Sequence, residues 1–216
     1  MRRFKVPEQR VHAHPAASAE WFRAARLARS LSLATLAWLA VESTLGLAAG
    51  LSAHSVALIG WGLAALVEAA GSLIVLWRFT GARTLSPHAE HRARRAIAVS
   101  FWLLAPYLII HVWYDLDVGH RAAPTVLGIV VTAFSLVSMP ILGTVKRRLA
   151  RRLASGATAG EATQNFMCGA MAAGVLAGLW LNTIGWWWVD PMMAVALAVV
   201  SIREGTRAWR GHGCCH

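Results

Sequence analysis

The chain has 216 residues, of which 57% are hydrophobic and only 14% are charged, and its formal net charge is +11. A soluble domain of this size needs more charged residues to cover its surface, so the composition predicts an integral membrane protein. The cations lie in clusters between apolar stretches, a distribution that disfavours nucleic acid as a partner. No secretory signal, disulfide framework or catalytic motif is recognisable, so we expect neither an enzyme nor a tightly bound cofactor.

Six apolar segments each approach the roughly 20 residues that a helix needs to cross the hydrocarbon core of a bilayer. They cover residues 28–51, 55–77, 96–113, 124–144, 161–183 and 191–202, and the last extends toward Trp209. The sequence therefore predicts an all-α integral membrane protein with six transmembrane helices. We divide it into a basic cytoplasmic arm or interfacial helix (1–26), a transmembrane domain (27–209) and a cytoplasmic Cys/His tail (210–216).

The basic residues are distributed unevenly among the connections between these spans. Seven lie in the N-terminal arm, five in each of the second-to-third and fourth-to-fifth connections, and three in the tail. Lys146 is assigned to the fourth-to-fifth connection, and Arg121 alone lies on the opposite side. The positive-inside rule then predicts that both termini are cytoplasmic, in a multi-pass protein of the plasma or inner membrane.

Three acidic residues lie within or beside the predicted spans, where an ionisable group is costly and needs a reason. Glu42 lies in span one, Glu68 lies deep in span two, and Glu161 begins span five at its cytoplasmic end. At about 1.5 Å per residue, Glu68 and Cys168 lie about 13–15 Å and about 10–12 Å from the cytoplasmic ends of their spans. The two side chains can therefore share one level near mid-membrane, and we favour a functional role for Glu68.

Glu161, Gln164 and Cys168 follow one another at i, i+3 and i+7, which places them on one face of a helix. We call these three residues the span-five stripe. Carboxylate, amide oxygen and thiolate donors together suit a divalent transition metal, with zinc first among the candidates. Each also has an ordinary explanation: packing for the thiol, a helix–helix hydrogen bond for the amide and a favourable helix N-terminus for the acid.

Further His, Cys and Asp residues are predicted outside the membrane core. An outer set comprises His54, His111, Asp115, Asp117 and His120. It could form an exit-side metal or proton site, but we favour the interpretation that these are solvated loop or interface residues. A haem protein using His54 and His111 is a less favoured alternative. The tail, whose last three residues are Cys214, Cys215 and His216, either captures a soft metal or is disordered.

The six-span layout and the polar residues in spans two and five resemble the membrane domain of the cation diffusion facilitator family. The resemblance covers residues 27–210 and rests on "SVALIGWGLAALVEAAGSLIVLW", "GEATQNFMCGAMAAGVLAG" and "GWWWVDPMMAVALAVV". In span two, the family's metal-ligand positions correspond to Trp61, Ala64 and Glu68, where the family has Asp, then His or Asp, then Asp. In span five they correspond to the span-five stripe, where the family has Asp, His and Asp. The family's cytoplasmic metal-binding domain has no counterpart after Trp209.

The resemblance implies a transporter that exports a divalent metal from the cytoplasm, most simply zinc, by proton antiport. We predict that metal is captured near Glu161 and held by Glu68, Gln164 and Cys168, and that Glu42 is a further ligand or proton carrier. The expected partners are the divalent cation, protons, the lipid bilayer and a second copy of the chain in a homodimer formed through the membrane domain. The alternative is a membrane protein that retains the fold with a degenerate, non-transporting site.

Overall fold

The computed structural model describes residues 18–52, 56–118, 126–182 and 188–211. Within these ranges the regular structure is entirely helical and consists of six α-helices and one 3-10 turn over Gly81–Leu85. The helices are α1 (Ala19–Ser52), α2 (Val56–Arg78), α3 (Pro87–Val118), α4 (Val126–Leu153), α5 (Gly156–Asn182) and α6 (Val189–Arg210). The prediction of an all-helical chain is confirmed for these residues.

Three stretches among the described residues are long and apolar enough to cross a membrane: Ala19–Ala48, Pro87–Tyr114 and Ile129–Leu153. These correspond to the first, third and fourth predicted spans. Many large hydrophobic side chains on the outside of the bundle are exposed, among them Leu103, Ile110 and Val137. An apolar exterior of this kind suits a lipid environment, in which exposed leucine and isoleucine carry no solvation cost. That all six helices span the membrane stays a prediction.

Contacts at the helix termini show that neighbouring helices run in alternating directions. At the start of α1, Trp21 packs on Phe79, which directly follows α2. Arg95, near the start of α3, stacks its guanidinium on the Trp209 ring at the end of α6. The end of the bundle at which α1, α3 and α5 begin and α2, α4 and α6 end carries the arginine clusters, and we call it the basic end.

A capping arrangement ties three helices together at the basic end. The hydroxyl of Ser155 accepts a hydrogen bond from the Thr158 amide in the first turn of α5. Glu90 on α3 accepts from the Ala157 amide at 3.1 Å and from the Ser155 hydroxyl. Arg78, in the last turn of α2, donates to the same Glu90 carboxylate at 2.8 Å. The carboxylate therefore satisfies an amide at the start of α5 and joins α2, α3 and α5.

Several helices extend further toward the basic end than the sequence predicts. Residues 19–26, assigned to the N-terminal arm, form the first turns of α1. Helix α4 continues to Leu153 instead of ending at residue 144, so only Ala154 and Ser155 connect it to α5. Arginines can lie at exposed positions of these extensions, because a helix needs an apolar face only where it packs.

Helix α5 lies at the centre of the bundle and contacts α2, α3, α4 and α6. Small residues permit the closest of these approaches. A Cβ atom added at Gly71 on α2 would overlap the side-chain oxygen of Gln164, and one at Gly169 would meet the Pro140 ring of α4 at 2.7 Å. Because α5 is packed so closely on its neighbours, the polar residues of the span-five stripe lie inside the bundle.

Candidate functional site: a cavity with two carboxylates and a thiol

Glu42 on α1, Glu68 on α2 and Cys168 on α5 line one cavity between the helices. The cavity has a volume of about 40 Å³, and Ala64, Met171 and the hydroxyl-bearing Thr132 and Ser135 of α4 also contribute to its wall. The three ionisable residues are 4%, 6% and 7% exposed, respectively. A volume of this size is sufficient for a water molecule or a single metal ion.

The groups around the cavity also contact one another. The thiol of Cys168 lies close enough to the carboxyl group of Glu68 for the two to interact. Glu42 lies close to Trp38 and Ser135, and the Trp38 indole donates its N–H to the Ser135 hydroxyl at 3.3 Å. One Glu42 oxygen, Oε2, has no hydrogen-bond partner among the described residues. A buried carboxylate oxygen without a partner is expensive, so this oxygen is available to a ligand.

The cavity does not contain a finished metal site. Among the residues that the structure describes, no three His, Cys, Asp or Glu side chains lie close enough together to hold a metal ion. Glu42, Glu68 and Cys168 therefore surround a common space without forming a coordination shell in this conformation. Ala64, at a position where the cation diffusion facilitator family has a ligand, lines the wall without a donor atom. The Trp61 side chain lies outside the described residues.

Gln164 lies inside the bundle but does not line the cavity. Its amide nitrogen donates to the Ser100 hydroxyl of α3 at 2.8 Å, and its oxygen faces Gly71. That oxygen and the hydroxyl of Ser72 are both without a hydrogen-bond partner in the described part of the chain. The prediction that Gln164 binds metal together with Cys168 stays a prediction, and in this conformation its side chain bridges α5 to α3.

Glu161 forms a buried ion pair. Its Oε1 accepts a hydrogen bond from the Lys146 ammonium of α4 at 2.8 Å, and its Oε2 accepts from the Ser32 hydroxyl of α1 at 2.7 Å. The Lys146 side chain is 0% exposed and that of Glu161 is 1% exposed. The same ammonium donates to Thr35 at 2.7 Å and to Asn165 at 3.3 Å. The first residue of the span-five stripe is therefore already occupied by a cation of the protein itself.

The assignment of Lys146 to the connection between the fourth and fifth spans was wrong, because Lys146 lies within α4. Lys146 lies in α4 on the same face as the buried residues Met139, Leu149 and Leu153, and the 7-, 3- and 4-residue steps of that series were visible in the sequence. A helix that continues past residue 144 must place residue 146 on this inward face. The sequence analysis counted Lys146 with the arginines that follow it. Those arginines are exposed on the same helix, so the grouping concealed the inward position of Lys146.

The predicted outer polar set is described only in part. His111, on α3, is partly buried, and Asp117 is exposed near the end of the same helix. His54 and His120 lie outside the described residues, as do residues 212–216 with the Cys and His donors of the tail. The predictions made for these residues, including the haem alternative, stay predictions.

The chain is similar in sequence to a known transmembrane protein. No protein-family model matches the chain. Transmembrane protein 163 of Xenopus laevis is 25% identical over 182 residues, which are 80% of this chain and 64% of that protein. The chain thus spans less than two thirds of that relative's length. The apolar helices and this similarity both indicate a membrane protein. Membership of the cation diffusion facilitator family stays a prediction.

Proposed function

We propose that the protein is a multi-pass membrane transporter that moves a divalent transition metal, with zinc as the first candidate, out of the cytoplasm in exchange for protons. The observation that carries this proposal is the cavity lined by Glu42, Glu68 and Cys168, which come from three different helices. Two carboxylic acids and a thiol inside an apolar bundle need a reason, because ionisable groups are costly there.

The donor set suits the proposed substrate. Carboxylate oxygen and thiolate sulfur are both zinc ligands, and a mixed set also accepts cadmium, cobalt or iron(II). Metal binding requires deprotonated ligands, so loading the cavity releases protons from Glu68 and Cys168. The three side chains must converge on the ion, and since they belong to separate helices, a small relative movement of α1, α2 and α5 accomplishes this. The same movement would open the cavity toward one face of the membrane.

The proposal includes six membrane spans with both termini in the cytoplasm. The exposed arginines of α3, α4 and α6 lie at the basic end, which the positive-inside rule assigns to the cytoplasm. Metal would enter at this end, pass Glu161 and Gln164 and reach Cys168. Along the axis of α5, Cys168 lies about 10 Å beyond Glu161. A homodimer formed through the membrane domain is also part of the proposal, and light scattering of the purified protein tests it.

Transport into vesicles tests the cavity assignment. The full chain is reconstituted with its basic end outward, and entry of zinc is followed with an encapsulated fluorescent indicator under a proton gradient. Glu68→Gln removes a carboxylate charge from the cavity, and Cys168→Ala removes the thiol; each is expected to abolish zinc entry. Glu204→Gln is the matched control, since Glu204 pairs with Arg207 on α6 at the basic end. Wild-type rates in both cavity variants would show that the site is wrong.

A specific observation favours a second candidate function. Ala64 supplies no donor to the cavity, and the two carboxyl groups and the thiol around it do not form a coordination shell among the described residues. These facts suit a non-transporting membrane protein with a degenerate site. Calorimetric titration of the purified protein with zinc separates the two: saturable binding lost in Glu68→Gln supports the transporter, whereas absence of binding supports the degenerate protein.

A further inference from the structure

The buried Lys146 ammonium sits in a shell made entirely of oxygen acceptors. Its three N–H bonds point at the Thr35 hydroxyl, the Glu161 carboxylate and the Asn165 amide oxygen, at 2.7, 2.8 and 3.3 Å. An ammonium has three donors and no acceptor, so three acceptors satisfy it completely. The acceptors of the shell belong to α1 and α5, whereas Lys146 belongs to α4.

The hydroxyl and amide groups of this shell donate their own hydrogen bonds to other acceptors. The Thr35 hydroxyl donates to the Leu31 carbonyl at 2.9 Å. The Asn165 amide nitrogen donates to the Met139 sulfur at 3.3 Å, which turns the amide oxygen toward Lys146. Ser32 donates to the far oxygen of Glu161 at 2.7 Å and fixes the carboxylate. The lone pairs are thus oriented toward one point by contacts that do not involve the ammonium.

We propose that this shell is a cation-binding site in its own right, which Lys146 occupies as a tethered competitor. One carboxylate, one hydroxyl and one amide oxygen are the donors that hard divalent cations such as Mn²⁺, Mg²⁺ and Ca²⁺ prefer, and the shell contains no thiolate or imidazole. A cation entering the shell must displace the ammonium. Its apparent affinity is therefore its intrinsic affinity multiplied by the fraction of molecules in which Lys146 is withdrawn. The site differs from the Glu42, Glu68 and Cys168 cavity in its residues and in its chemistry. The proposal for this site therefore holds whether or not the protein transports metal.

Removing the tethered ammonium should therefore reveal the site. In Lys146→Met, the shell keeps its oxygens and one uncompensated carboxylate charge. Mn²⁺ is the probe, because the electron paramagnetic resonance signal of the free ion is lost when it binds. Purified full-length Lys146→Met is expected to gain one saturable Mn²⁺ site at least about tenfold tighter than any in the wild-type protein. The double variant Lys146→Met/Glu161→Gln should lose that gain.

Arg78→Met is the matched control. It also removes the cation from a largely buried ion pair, with Glu90. However, both oxygens of Glu90 still accept hydrogen bonds, from the Ala157 amide and the Ser155 hydroxyl, which repel a metal ion. In Lys146→Met, by contrast, Glu161 Oε1 loses its donor and only Oε2 keeps one, from Ser32. Arg78→Met should therefore bind no more Mn²⁺ than the wild-type protein.

Two results overturn the proposal. One is a folded, monodisperse Lys146→Met protein that binds no more Mn²⁺ than wild type. The other is a gain that persists in the double variant, which would locate the ion elsewhere. If Lys146→Met does not fold, Lys146→Leu serves instead, since it also removes the ammonium without adding a new donor to the shell, and the same outcomes apply. The Glu68→Gln transport assay is independent of these results, so failure of one proposal leaves the other testable.

Discussion

The ion pair between Lys146 and Glu161 makes a quantitative prediction about stability. Both side chains are essentially inaccessible, and Lys146 makes three hydrogen bonds, to Thr35, Glu161 and Asn165. Removing one partner of such a pair leaves an uncompensated buried charge, which costs about 3–5 kcal/mol. Lys146→Met should therefore lower the free energy of unfolding by about that amount, since the methionine fills the space of the lysine stem without pairing with Glu161.

The double variant Lys146→Met/Glu161→Gln distinguishes a charge effect from a packing effect. With the carboxylate also neutralised, the buried charge is gone and the glutamine can still accept from Ser32. We expect the double variant to be less destabilised than the sum of the two single variants by at least about 2 kcal/mol. Unfolding in mixed micelles, followed by helical circular dichroism against denaturant concentration, measures all four proteins in parallel.

An additive result would refute this reasoning. If the two single substitutions contribute independently, the ion pair supplies no coupling energy and the two side chains do not interact in the folded protein. Mn²⁺ and other divalent cations must be chelated during these measurements, because a cation bound in the Lys146→Met variant would conceal the cost of its free carboxylate.

Two further substitutions test the packing of α5. Ala154, between α4 and α5, adopts a left-handed conformation with φ of 48°. Glycine adopts this conformation without steric cost, so Ala154→Gly should raise the free energy of unfolding by about 0.5–1 kcal/mol. An unchanged or lowered unfolding midpoint would contradict this prediction. Gly71→Ala should destabilise by about 1–3 kcal/mol, because the added methyl group displaces the Gln164 amide, which donates a buried hydrogen bond to Ser100. Gln164→Ala in the same chain should recover part of the loss. The control is Gly174→Ala, whose new Cβ would lie 3.5 Å from the nearest atom, Met193 Cβ; equal losses in the two glycine variants would rule out the proposed overlap.

The helical fold was predictable because long apolar runs leave few alternatives. Lipid cannot satisfy backbone polar groups, so such runs must form helices, and all six described helices overlap the six predicted segments. Boundaries were less predictable at the basic end, where the helices continue through arginine-rich sequence. Helix α4 illustrates the reason: its arginines are exposed, while Leu149 and Leu153 remain on the packed face.

The candidate site was predictable in its residue types and in part of its arrangement. Helical rise placed Glu68 and Cys168 at similar depth, and the structure brings both to one cavity with Glu42. The i, i+3, i+7 pattern grouped Glu161 and Gln164 with Cys168, but in the folded bundle these side chains meet different helices: Glu161 meets α1 and α4, and Gln164 meets α3. Sequence spacing defines a helix face but does not say what that face packs against.

The sequence by itself determined that this chain is helical and apolar, that the acidic residues Glu42, Glu68 and Glu161 lie in or beside apolar runs, and which end of the helices is basic. Those properties follow from composition and from the fixed period of a helix. The tertiary structure alone decided which polar groups meet. It brought Glu42 beside Glu68 and Cys168, and it placed the Lys146 ammonium against Glu161 in a shell of oxygens. The physical reason is that pairing across helices depends on their rotation and separation, which close contacts such as Gly71 on Gln164 set only once the bundle has formed.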